Sequence, residues 1–166
     1  MNLQLLKEND PVLREKCTPW DFEKDGDATE VIKELSRVMM ENNGIGLAAP
    51  QCGLMKRIFV MGNENRLFAC INPEILEGNG DSVMDLEGCL SFPDLWLHVK
   101  RYETVKVKYY NVVGGEIITD FTGLIARVFQ HELDHLDGVC FDTRVGKVSL
   151  DLAKNRRKKR LRKSFN

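Results

Sequence analysis

Hydrophobic positions recur along this chain with two periods. Val31, Ile32, Leu35, Val38 and Met39 repeat at three- and four-residue intervals, which places them on one face of an amphipathic helix. Asp27 followed by Glu30 resembles a capping pair at its start. Asn42-Asn43-Gly44 suits a left-handed stop at its end. A second helix is expected from Gly123 to Leu136, ended by Gly138. Leu124, Ile125, Val128, Phe129 and Leu136 cover most of its surface, so it should be central and buried. Between the two lie shorter β-type runs: Arg57–Met61, Leu67–Ile71, Ser82–Leu86, Val105–Tyr110 and Glu116–Phe121. Gly62-Asn63, Gly78-Asn79-Gly80 and Gly114-Gly115 read as punctuation between them. These runs stand too close together for crossover helices. The order predicts an α+β fold, with antiparallel β-sheets packed around a central buried helix. Pro11 and Pro19 mark an irregular N-terminal segment, and Ser149 suits the cap of a final short helix.

Length and charge refine this picture. A chain of 166 residues suits one compact domain, expected over 1–150, with a short basic tail over 151–166. No apolar run approaches the roughly 18 residues needed to span a bilayer, and MNLQLLKENDP lacks a secretory or transit pattern. A cytoplasmic protein without membrane contact is expected, and a monomer. Five cysteines without a CxxC argue against a disulfide framework. Four of them read as buried small hydrophobes. Residues 154–166 carry eight Lys or Arg and no acid. Such a segment is either a solvated terminus or a contact for a polyanion.

Chemistry concentrates in the second helix. His131 and His135 lie one turn apart on one face, a spacing that suits two ligands of one metal. Glu132 is about 100° away around the helix, where it can flank the metal and reach its water. Asp134 either orients a ligand from behind or is a solvated helix acid. The chain has only three histidines, and an apolar helix is a costly place for two of them without a role.

A catalytic site of this type needs a third ligand. His98, in LWLHVKR, is one candidate; Cys89, in LEGCLS beside Gly88, is the other. The chemistry favours Cys89 without deciding. A further segment, Gly44-Ile-Gly-Leu-Ala-Ala-Pro-Gln51, is rich in small residues and lets backbone approach a ligand. It lacks the Gly-Lys-Ser/Thr ending of a phosphate loop. Gln51 is either an oxyanion donor or an exposed turn residue.

Together, GIGLAAPQ (44–51), EGCLS (87–91) and HELDH (131–135) resemble the three motifs of the peptide deformylase family, in order and near the usual spacing. The resemblance covers about residues 3 to 145. It implies removal of the N-terminal formyl group from formyl-methionyl nascent peptides, releasing formate. By that likeness Cys89, His131 and His135 bind the metal, and Glu132 is the general acid/base. Gln51 and the Leu90 N–H stabilise the oxyanion. Gly44, Ile45, Gly46, Glu87, Gly88, Leu124, Arg127 and Val128 line the substrate site, with Gly46 bonding the peptide backbone. The metal implied is Fe2+, with Zn2+, Ni2+ or Co2+ able to replace it.

Three departures follow from the same likeness. Trp96 stands where many members carry arginine, which implies a more aromatic rim. Asp85 and Arg127 flank the motifs and either form an ion pair across strand and helix or face solvent. The basic tail, shorter than in many bacterial relatives, suggests contact with ribosomal RNA. Two rival readings are a zinc peptidase with the same helical pattern and a non-enzymatic module with a structural metal. Intact EGCLS argues against the first, and Glu132 beside the metal argues against the second.

Overall fold

Three α-helices and one antiparallel sheet emerge from these patterns in the computed structural model, which describes residues 1–164. Helix α1 spans Thr29–Glu41. Ala28 takes the cap position, and Asp27 Oδ1 accepts the Thr29 N–H at 2.9 Å. Asn43, at φ 55°, makes the left-handed stop.

Five strands follow: β1 (Gly46–Ala48), β2 (Ile58–Asn63), β3 (Arg66–Cys89), β4 (Phe92–Tyr110) and β5 (Glu116–Thr122). They pair in chain order, each antiparallel to the next. Part of the segment read as a loop, Gly46–Ala48, is therefore an edge strand. The two runs expected at Leu67–Ile71 and Ser82–Leu86 belong to a single 24-residue strand. Gly78-Asn79-Gly80 is no turn between strands. The β3–β4 ladder absorbs it through register shifts at Ile71/Glu74, Ile75/Glu77 and Asn79/Ser82. Gly78 has a packing reason instead. A Cβ there would fall 2.6 Å from the Tyr102 ring on the neighbouring strand.

Helix α2 (Gly123–Leu136) crosses the sheet. Phe129 packs edge-on to Phe59 at 5.1 Å between ring centroids, and Phe121 lies at 5.8 Å. Ala126 and Leu136 join Val105, Val107 and Cys70 in the same cluster. Burial of each such large apolar side chain stabilises the fold by about 1.5–3 kcal/mol. On the far side α1 sets Leu35 and Met39 against Leu47 and Ile58.

Helix α3 runs over Lys147–Lys163. It starts at the Gly146 cap rather than at Ser149, whose side chain makes no cap. Ala153 is buried, Arg157 reaches Glu8, and Arg160 donates to the Asp94 carbonyl at 2.8 Å. No helix among the described residues is long and apolar enough to cross a membrane.

Candidate metal centre

Cys89 ends β3, immediately before the Leu90-Ser91 turn into β4. His131 and His135 project from α2. One donor atom from each of these three residues lies within 4.8 Å of the others, and Cys89 Sγ is 3.4 Å from His135 Nε2. His98 is exposed on β4, opposite Leu86, so Cys89 is the residue that joins the histidine pair. Glu87 Oε2 lies 2.9 Å from His131 Nδ1. An acidic partner at Nδ1 keeps the proton there and leaves Nε2 for a metal. A thiolate and two imidazoles form a donor set for iron or zinc rather than magnesium or calcium.

Glu132 is 4% exposed, and its Oε2 has no hydrogen-bond partner among the described residues. Its carboxylate occupies space that Gly46 leaves open, because a Cβ at Gly46 would overlap Glu132 Oε1 and lie 2.8 Å from Val128 Cγ1. Burial pushes Glu132 up to about 7; His131 opposes the rise and Glu87 adds to it. Gln51 is held by its own loop. Its Oε1 accepts the Ala48 N–H at 2.9 Å, which aims Nε2 at Cys89 Sγ (3.4 Å) and Ser91 Oγ (3.2 Å).

A cleft of about 560 Å³ opens over this cluster. Gly44, Ile45 and Gly46 form one wall, and Glu87, Gly88 and Leu90 another. Leu124, Arg127 and Val128 form a third. His135 lies beneath, 1% exposed. Trp96 sits at the mouth, its ring so close to Gly88 that a Cβ there would fall 2.8 Å from Cζ3.

The polypeptide deformylase family matches this chain over residues 2–150. The chain belongs to that family. A peptide deformylase of Heliobacterium modesticaldum is 44% identical over 142 residues, covering 86% of this chain and 93% of its own length. The crystal structure of Thermotoga maritima peptide deformylase superimposes with a TM-score of 0.82 at 39% identity, over 88% of this chain and 99% of that one. A Synechococcus elongatus peptide deformylase in complex with actinonin gives 0.87 at 37% identity, over 94% of this chain and 86% of that one.

Behind the three candidate donors of this deformylase fold lies a buried charge network that the sequence reading missed. Arg127 does not pair with Asp85. Its Nη1 donates to Glu87 Oε1 and to the Val99 carbonyl, both at 2.8 Å, and Nη2 to the Val83 carbonyl at 2.7 Å. Asp85 is exposed and accepts the Leu86 N–H. The buried partner is thus Glu87, two residues further along the strand. Arg101 forks onto both Glu87 oxygens at 2.9 and 3.0 Å and reaches Asp134 at 2.6 Å. Asp134 is itself buried and also takes Arg144, so it is no solvated helix acid. Burial pushes the Glu87 carboxyl up, but bonds from His131 and Arg101 outweigh this and hold it at about 2. Burial likewise pushes His131 down, yet its bonds to Cys89 and Glu87 raise it to about 10. His135 is driven well down by burial and by His131.

Proposed function

We propose that Cys89, His131 and His135 hold a divalent metal and that Glu132 moves the protons in a deformylation reaction. The chain is a peptide deformylase: a metal-dependent hydrolase that removes the N-terminal formyl group from formyl-methionyl nascent polypeptides and releases formate. The observation that carries the assignment of residues is the convergence of the three donors under a cleft walled by all three motif segments. The family likeness points to Fe2+, and a thiolate with two imidazoles can equally take Zn2+, Ni2+ or Co2+.

When bound, the metal supplies Lewis acidity, lowering the pKa of water and polarising the formyl oxygen. Glu132 takes the proton from the attacking water and passes it to the departing amine. A carboxyl held at about 7 suits both transfers. Gln51 Nε2 and the Leu90 N–H stabilise the negative oxygen of the tetrahedral adduct. Strand β1 is an edge, and an extended peptide can add to it, with Gly46 bonding its backbone. Ile45, Leu124 and Val128 surround the methionine side chain. Ile45 and Leu124 are 50% and 63% exposed, apolar surface that a substrate would cover. Gly88 lets the peptide pass close to β3, while Glu87 and Arg127 wall the floor. A formyl carbon carries only hydrogen besides its amide, so a tight site admits it and excludes larger acyl groups.

The test is formate release by anaerobically prepared protein from formyl-Met-Ala-Ser, alongside Met-Ala-Ser and metal analysis. Formate from the first peptide, no cleavage of the second and one metal per chain are expected. Peptide-bond cleavage of either substrate would overturn the assignment.

We further read residues 1–150 as the catalytic unit and 151–166 as a basic appendage, its last two residues lying outside the described ones. The supporting observation is that Lys154, Arg156, Lys158, Lys159, Arg162 and Lys163 are all exposed on α3. On this reading a cytoplasmic monomer contacts ribosomal RNA through that helix. Deleting residues 154–166 should abolish a steeply salt-dependent co-sedimentation with ribosomes. Unchanged co-sedimentation would remove the idea.

A further inference from the structure

The three metal donors come from two different elements. Cys89 belongs to the β3–β4 hairpin, and His131 and His135 belong to α2. Metal–ligand bonds tolerate only about 0.2 Å of error, so the hairpin must be fixed against the helix. Apolar contacts across that gap are non-directional. Arg101 is not. It sits on β4 in line with buried Leu95, Leu97 and Val99, and is itself 5% exposed. Its Nε and Nη2 hold both oxygens of Glu87, two residues before Cys89 and the partner of His131 Nδ1. Its Nη1 holds Asp134, the residue before His135. Among the described residues it alone bonds both carboxylates. Arg127 adds a bond to Glu87 and Arg144 adds bonds to Asp134, completing a network in which two buried acids face three guanidinium groups.

A buried ion pair is weak evidence for stability, since apolar replacements often serve as well. What apolar residues cannot supply is a planar fork that fixes one carboxylate while a third donor fixes another. We infer that Arg101 is a positioning residue: it sets the spacing of Cys89 from the two histidines and thereby sets metal affinity. This rests on the reading that those three residues hold the metal. Arg101 touches neither substrate nor reacting atoms.

Co2+ is the probe, bound to the full chain. Its affinity is read by competition with a chromophoric chelator and its geometry by sulfur-to-cobalt charge-transfer absorption. Melting is followed with and without Co2+. Arg101→Lys keeps a charge but loses the planar fork that grips both Glu87 oxygens while a third donor reaches Asp134. It should weaken Co2+ about 10–100-fold, shift the charge-transfer band and shrink the Co2+-dependent gain in Tm. Arg37→Gln, which removes two ion pairs on α1, should leave the affinity, the band and the Co2+-dependent gain in Tm at wild-type values. Equal losses of Tm with and without Co2+, at unchanged affinity and spectrum, would show a purely structural role and overturn the inference. Where Arg101→Lys does not fold, Asp134→Asn carries the same test by releasing the other anchor. A wild-type protein lacking the charge-transfer band would overturn the metal reading itself and this inference with it.

Discussion

Glu132 occupies the space that Gly46 leaves by having no side chain, and its burial keeps a carboxyl poised near neutrality. Glu132→Gln retains the shape and removes the titratable group. It should lower kcat by about 10²–10⁴-fold while metal analysis still finds one ion per chain. At the mouth, Trp96 lies against Gly88 and remains 48% exposed. Trp96→Ala should raise KM for formylated tripeptides about 2–10-fold, the equivalent of one aromatic contact, with kcat nearly unchanged as expected for uniform binding. An effect no larger than that of Val113→Ala, at a remote exposed site, would deny Trp96 a part in the rim. Side-chain chemistry left Cys89 and His98 as rivals, because a strand residue and a residue before a turn look alike in isolation. The three motifs together, and then the fold, separated them. Arg101 had a legible signal that went unused: the alternation Leu95, Leu97, Val99 predicts a buried position at 101, and an arginine there requires partners.

At the level of elements, both main helices were visible because their apolar periodicity is strong, and α2 keeps the expected bounds. Its character was less visible. Besides Ala126, Phe129 and Leu136, the helix buries Arg127, Gln130, His131, Glu132, Asp134 and His135. A polar face turned inward cannot be told from a solvated one by period alone. The long hairpin was hidden for a different reason. Gly78 reads as a break, yet it is the seat of the Tyr102 ring from the neighbouring strand, just as Gly88 is of Trp96. Glycine beneath a cross-strand aromatic preserves pairing instead of ending it. The apolar side of α2 anchors this arrangement. Phe129→Ala removes a fully buried ring between Phe59 and Phe121 and should cost about 3–5 kcal/mol in stability, measured as a lowered denaturant midpoint. A shift no larger than that of a surface variant would mean the ring's partners close over the gap.

For the whole molecule, four buried thiols make stability sensitive to alkali. All five cysteines are free. Burial pushes Cys17 and Cys52 up to about 11 and Cys140 to about 12, and Cys70 is raised well above its ordinary value of 9.0. The folded protein keeps these protons at a pH where the unfolded chain has lost them. Their contribution is therefore complete below pH 9 and declines as pH rises through 11 to 12. Tm of the metal-free protein should fall over that interval, and Cys52→Ser should flatten the fall; parallel curves would exclude the thiols as its cause. The fold class was legible because the β-rich middle and two amphipathic helices both point to an α+β arrangement. The joining of hairpin to helix was not, since it depends on charged residues far apart in the chain. That joining also has a consequence in time. Cys89 and His135 lie 46 residues apart, so at about 5–20 residues per second the thiol leaves the ribosome roughly 2–9 s before its last partner does. During that interval it is an uncovered nucleophile, and oxidation to a sulfenic acid would yield a finished enzyme whose site was spoiled before it had ever closed.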